Sequence, residues 1–239
     1  MSKFSVLFLA GGYGTRLASD VEKSDLMEWK YLKASPKALV RLDGQPLLSR
    51  WINQLEEIIS EVDKICVVTN DKFYEKFKTW MNMLDNKEMQ KKIILYNNLS
   101  SSNEDRLGSV TDLQHGVRML QDNQEIRNPV FVIASDTLFS REFSVASLLR
   151  RFRDLGDTSS SIILAAPCRE DDVKNHGMLE IDEGKSMRVT TFLEKPLPSE
   201  TKSRTQSPCC YFLCPAALRF SFSFSQDIIL FSLKIFLVQ

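Results

Sequence analysis

Short apolar runs rich in β-branched and aromatic residues recur along this chain. Between them lie longer stretches in which apolar positions return every three or four residues. The runs at 4–10, 64–70, 92–97, 129–136, 160–167, 177–182 and 187–195 read as strands. The stretches 46–59, 72–84, 109–120 and 144–155 read as helices. In the first of these, Leu48, Trp51, Ile52, Leu55, Ile58 and Ile59 share one face. Phe73, Phe77, Trp80 and Leu84 repeat the pattern in the second. Strands that are apolar throughout, alternating with amphipathic helices, predict a mostly parallel sheet covered on both faces, an α/β chain. Beyond Asp136 the helical patterns thin out and strands follow one another through turn-rich stretches. This predicts an antiparallel extension of the same sheet, and the polar, proline-containing stretch 196–208 reads as a loop.

The last segment departs from this rhythm. "LRFSFSFSQDIILFSLKIFLVQ" is dense in Phe and Leu, and Lys234 interrupts it. With that interruption its apolar runs fall short of the ~20 residues a membrane-spanning helix needs, and it would be an aggregation hazard if left exposed. It reads as a truncated or alternative C-terminus, with a terminal strand–helix as the other reading. The expected organisation is a single domain over 1–215 followed by an atypical apolar tail, 216–239. At 239 residues the chain has the length for one large domain or two small ones. Lys and Arg total 31 against 31 Asp and Glu, so no global field recruits nucleic acid or an anionic membrane. Any handling of phosphate has to come from a local site. No signal-peptide pattern opens the sequence. The odd set Cys66, Cys168, Cys209, Cys210 and Cys214 lacks a Cys-x-x-Cys pair, which favours reduced thiols and a cytoplasmic setting. "CCYFLC" has apolar neighbours and no nearby His, so its cysteines read as buried thiols in preference to a metal cluster.

Candidate chemistry begins where the first strand runs into "AGGYGTR". Gly11, Gly12 and Gly14 let the backbone turn sharply and offer N–H groups to phosphate oxygens or a base edge. Arg16 adds a permanently charged fork suited to a triphosphate. Neither a G-x-G-x-x-G dinucleotide fingerprint nor a loop ending in G-K-[ST] is present. Lys37, behind Pro36, is a second candidate phosphate cation. Gly108 and Ser109 open a helix whose N-terminus could face a ligand. Asp136 stands at the carboxyl end of the most hydrophobic strand, where open α/β sheets bind ligands, and its carboxylate could hold Mg²⁺ against phosphate. Taken alone, Asp136 in Ser-Asp-Thr reads more readily as a helix or turn cap.

Together, L-A-G-G-x-G-T-R-L, P-K-x-L, a glycine before a mid-chain helix, a strand-end Asp, "NHGMLEIDE" and "FLEKP" resemble the sugar-1-phosphate nucleotidyltransferases. The resemblance runs from about residue 4 to 214, towards members acting as glucose-1-phosphate thymidylyltransferases or mannose-1-phosphate guanylyltransferases. It implies a three-layer α/β/α nucleotide-diphospho-sugar transferase fold, Rossmann-like and GT-A-like. It also implies a Mg²⁺-dependent reaction in which an NTP and a sugar 1-phosphate give an NDP-sugar and pyrophosphate. By the same resemblance Gly11, Gly12, Gly14, Thr15 and Gly108 contact the nucleotide, and Arg16 and Lys37 are catalytic. Asp136 binds the metal, and Gly177, Glu194 and Lys195 meet the sugar phosphate. The departures are a long segment between Arg16 and Lys37, "ASDTLF" where relatives carry Gly before Asp, His176 in place of an aromatic, and no matching second metal Asp. A catalytically silent nucleotide-sugar-binding or regulatory relative, or a transferase for phosphocholine or another phosphorylated alcohol, therefore stays open. The expected partners are the two substrates and, as in relatives that oligomerise, further copies of the chain; neither nucleic acid nor membrane is expected.

Overall fold

The computed structural model describes residues 3–121, 127–140, 142–154, 160–182, 188–220 and 233–237. The first strand, β1 (Phe4–Leu9), leaves through the glycine loop into α1 (Thr15–Lys23). A 3₁₀ segment (Met27–Ala34), a 3₁₀ turn (Lys37–Leu39) and a hairpin of β2 (Arg41–Leu42) and β3 (Gln45–Pro46) lead to α2 (Leu47–Glu56). Then come β4 (Val62–Thr69), α3 (Tyr74–Asn82), α4 (Lys87–Lys92), β5 (Ile93–Asn97), α5 (Ser109–Leu120), β6 (Val130–Ala134) and α6 (Val145–Asp154). The later part holds β7 (Ser161–Pro167), β8 (Gly177–Ile181), β9 (Val189–Glu194), β10 (Thr205–Ser207), β11 (Cys210–Leu213), α7 (Pro215–Phe220) and β12 (Leu233–Leu237).

Among the described residues ten strands form one sheet in the order β5-β4-β1-β6-β11-β7-β10-β8-β9, with β12 also paired to β7. The pairs of β1 with β4, β1 with β6 and β4 with β5 are parallel. From β11 onward the path along the sheet is antiparallel. The predicted parallel half and antiparallel extension are both present.

The period-two geometry of β1 divides the core. Val6 and Phe8 join α2, α3 and α6 in one apolar cluster through Leu48, Trp51, Ile52, Phe77 and Leu148. Leu7, on the opposite face, joins α5 through Val117 and Leu120. Helices thus cover both faces, the three-layer arrangement expected of strands apolar throughout. The approach of α5 to β1 runs over Gly116, where an added Cβ would lie 2.3 Å from Leu7 Cδ1.

Several elements differ from the sequence expectation. The helix α1 buries only Val21, so it carries no clear apolar stripe to announce it. The stretch 196–208 is not wholly a loop, because Thr205–Ser207 pairs antiparallel with both β7 and β8. Of the expected tail, Pro215–Phe220 is helical and Leu233–Leu237 runs parallel to β7; residues 221–232 lie outside the described residues. Among the described residues no helix is long and apolar enough to cross a membrane.

Candidate functional site at the carboxyl edge of the sheet

Because β1, β4, β5 and β6 are parallel, their carboxyl ends lie along one edge. The chain moves from β1 to β4 and β5 on one side, then crosses to β6 on the other. The loops after β1 and β6 therefore part from each other at a topological switch point, where open α/β sheets form a crevice. The polar candidates gather there.

The glycine loop is pinned at its root. Ala10 N–H donates to Val68 O at 2.8 Å, and Asn70 Nδ2 donates to Gly11 O at 3.0 Å. Gly14, with φ +66°, adopts the left-handed conformation and passes the chain into α1, its carbonyl accepting from Ala18 N–H at 2.9 Å. Thr15 and Arg16 open that helix with exposed side chains, and Gly12 is exposed with open space where a Cβ would stand. The same cleft receives Lys37 from the 3₁₀ turn behind Pro36. A Cβ on Gly14 would lie 3.6 Å from Lys37 Cγ, and Lys37 Nζ reaches Asp136 Oδ2 at 3.3 Å.

Asp136 follows β6 on a loop held from both sides. Ser135 N–H donates to Leu9 O at 3.1 Å and Thr137 N–H to Ala134 O at 3.0 Å. Thr137 Oγ1 donates to Pro208 O, and Trp51 Nε1 donates to Thr137 O, each at 3.0 Å. The carboxylate is presented to solvent on a fixed base.

The antiparallel extension returns to this edge. Gly177 at the start of β8 pairs with Glu194 at the end of β9. A Cβ on Gly177 would lie 2.5 Å from Phe192 Cζ, so the ring itself requires glycine there. Lys195 N–H donates to His176 O at 3.1 Å, and Lys195 Nζ lies 2.6 Å from Glu194 Oε1. Lys195 sits at φ +50°, an uncommon conformation for a side-chain-bearing residue.

Cys209 ties the two halves of the edge together. Its carbonyl accepts from Ala134 N–H at 3.1 Å, just before Asp136. The expectation of buried thiols in "CCYFLC" holds for Cys210 and Cys214, but Cys209 is exposed; Cys66 and Cys168 are buried as well. The Cys209 φ of +55° is an uncommon conformation for a side-chain-bearing residue, and its thiol meets the Tyr211 hydroxyl. Crowding by protein pushes its thiol above the usual range. The carboxylates of Glu194 and Asp136 push the same way, against smaller effects from Tyr211 and Lys195. Asp136, Glu194 and Lys195 all act on Cys209 electrostatically, so it stands beside these three candidates. Iodoacetamide is therefore expected to alkylate Cys209 slowly at neutral pH, faster as pH rises through and beyond the ordinary thiol range. Peptide mapping by mass spectrometry checks this, and fast labelling at neutral pH would contradict it.

A buried polar cluster beside the glycine loop has no counterpart in the sequence reading. It comprises Asn70, Asn98, Ser100 and Asp112, all buried. Gly108, at φ +86°, precedes α5, and its carbonyl accepts from Asp112 N–H at 3.0 Å. The loop before Gly108 is organised by Asp105, which accepts from Ser101 N–H, Ser101 Oγ and Ser102 N–H at 3.0, 3.0 and 2.7 Å. Those bonds lower its carboxyl to about 2. The only hint of the cluster in the sequence is the run of Asn and Ser, "NNLSSS", following β5.

The nucleotidyl transferase family model matches residues 5–228 of the chain. No curated protein matches it. A UDP-glucose pyrophosphorylase complexed with UDP-glucose is similar in structure, with TM-score 0.67 and 19% identity, over 98% of this chain and 84% of that one. An inositol-1-phosphate CTP transferase from T. maritima has TM-score 0.65 and 16% identity, over 99% and 86%. A UTP-bound UGPase from Acinetobacter baumannii has TM-score 0.66 and 14% identity, over 100% and 87%.

Proposed function

This chain belongs to the nucleotidyl transferase family, and on that footing we propose that it joins an NTP to a sugar 1-phosphate, giving an NDP-sugar and pyrophosphate. The observation carrying the reading is the convergence of Lys37 on Asp136 beside Gly14, at the mouth of the switch-point crevice. A structural ion pair has no need of a glycine cradle, a rigid proline-led turn and a doubly pinned loop. A site for polyphosphate needs each of them.

The glycine loop, Gly11 to Gly14, and Gly108 form the walls that receive the nucleotide, with Thr15 and Arg16 on the first turn of α1 above its phosphates. The donor set of Asp136 suits Mg²⁺. That ion binds through one or two carboxylates, keeps several waters and completes its shell with substrate phosphate. A protein-only cage is not required, and among the described residues no group of three or more His, Cys, Asp or Glu could hold a metal. Bound there, Mg²⁺ would neutralise phosphate charge. Lys37 leaves its exposed pairing with Asp136 to meet the triphosphate, which frees the carboxylate for the cation. Lys195 and Glu194, returned to the edge by β9, receive the acceptor's phosphate and hydroxyls, and Gly177 leaves room for the Phe192 ring beside them. No protein nucleophile is needed, since the acceptor phosphate attacks the α-phosphorus and catalysis consists of positioning and charge neutralisation. In this reading residues 1–215 form the transferase domain and 216–239 an appended segment.

The test is pyrophosphate release by the purified chain with Mg²⁺, each NTP in turn, and a panel of hexose 1-phosphates, inositol 1-phosphate and phosphocholine. Release that requires one NTP, one sugar 1-phosphate and an intact Asp136, being lost in Asp136→Asn, is the expected result. Release with phosphocholine alone would move the acceptor class. A folded protein that binds nucleotide sugar without turnover would favour the catalytically silent reading.

A further inference from the structure

The cluster next to the glycine loop is ordered in one direction. Tyr13 Oη donates to Ser100 Oγ at 3.1 Å, and Ser100 Oγ donates to Asn98 Oδ1 at 2.8 Å. Asn98 Nδ2 donates to Asp112 Oδ1 at 2.7 Å, and Ser100 N–H reinforces the bond to Asn98 Oδ1 at 3.0 Å. An ionised carboxylate only accepts hydrogen bonds, so Asp112 fixes which way the Asn98 amide faces. That in turn turns Asn98 Oδ1 towards Ser100 and leaves the Ser100 oxygen free to accept from Tyr13. One carboxylate sets the polarity of three consecutive bonds and ends them on the middle residue of the glycine loop.

Asp112 also touches the loop directly. Its Oδ2 lies 2.5 Å from where a Cβ on Gly11 would stand, so the loop backbone rests against the carboxylate. Burial raises the Asp112 carboxyl, against the Asn98 hydrogen bond and the His115 side chain, which lower it. A buried carboxylate held in place this way is costly for a part that only fills space. Its backbone N–H belongs to the first turn of α5, bonded to Gly108 O. The same residue therefore joins the two glycine-lined walls between which the nucleotide is proposed to sit.

We propose that Asp112 is a positioning residue for the nucleoside triphosphate, acting through Asn98 and Ser100 on Tyr13 and by contact on Gly11. The inference rests on the nucleotidyl-transfer reading for the identity of the ligand, but its test does not need turnover. ATP, CTP, GTP, UTP and dTTP are titrated calorimetrically into the full chain with Mg²⁺, for wild type, Asp112→Asn, Tyr13→Phe and the double variant. Tyr13→Phe removes only the terminal hydroxyl and keeps the ring against Phe73, 6.3 Å away centroid to centroid, so it preserves a folded protein.

Each single variant is expected to weaken the tightest-binding triphosphate about tenfold. The double variant is expected to lose no more than the larger single loss, because both break one chain. In the ligand-free protein the labelled Tyr13 ring signal shifts in Asp112→Asn by NMR. Additive losses, unchanged affinity in Tyr13→Phe, or a Tyr13 signal indifferent to Asp112 would each overturn the proposal. Wild-type binding without turnover sinks the transfer reading and leaves this inference standing on the variants. Absence of binding by any triphosphate overturns both.

Discussion

Lys37→Ala will lower pyrophosphate release by about 10²–10³-fold, the cost typical of removing one preorganised charge-stabilising group, and will leave the fold intact. In the free protein the Lys37–Asp136 pair spans 3.3 Å, with side chains 42% and 45% exposed. Such pairs contribute about 0–1 kcal/mol to stability, so urea unfolding should barely register the change. The loss arises because the ammonium, carried on a turn behind Pro36 and beside Gly14, has only to leave its exposed pairing with Asp136 to meet phosphate charge. Arginine at this position would not restore the rate, since a planar fork replaces a compact point charge against the glycine backbone. A variant with near wild-type turnover would show that the pair is only structural.

The second large effect concerns the scaffold. Gly116→Ala puts a methyl 2.3 Å from Leu7 Cδ1, 2.9 Å from Leu7 Cδ2 and 3.0 Å from Val68 Cγ2. Leu7 and Val68 are fully buried on the central parallel strands, so neither can swing into solvent. Overpacking of this kind costs about 1–3 kcal/mol, occasionally more. Alanine recovers up to about 1 kcal/mol as the better helix former. A net destabilisation of about 1–2 kcal/mol in urea is expected. A neutral or stabilised variant would mean that α5 can draw back from β1. In that case the seat of Gly108 and Asp112 would be looser than the distances imply.

The parallel half of the sheet was legible because its strands are apolar on both faces and its helices α2, α3, α5 and α6 carry plain stripes. The order of motifs along the chain also singled out Lys37, Asp136 and Glu194-Lys195 as candidates, and the fold carries them to the carboxyl edge of the sheet. What escaped has identifiable causes. The helix α1 buries only Val21, so periodicity had nothing to detect. Cys209 read as buried because its neighbours are apolar, yet it is exposed, at a positive φ that no sequence pattern announces. Strand β10 hid inside a polar stretch since its pairing partners, β7 and β8, are distant in sequence. The Tyr13–Ser100–Asn98–Asp112 chain is composed of residue types that, one at a time, signal only turns and caps. Their meaning lies in a juxtaposition of loop, strand end and helix that no local pattern encodes.

Nucleotidyl transfer at this crevice differs from mere binding or hydrolysis of a triphosphate in the phosphorus compounds it leaves. Phosphorus NMR of the chain incubated with Mg²⁺, the NTP it binds and its sugar 1-phosphate tests that directly. Equimolar growth of pyrophosphate and of a new diphosphodiester pair is expected, both absent from Lys37→Ala over the same interval. Growth of orthophosphate and nucleoside diphosphate in their place, or an unchanged spectrum from folded protein that binds both substrates, would contradict it.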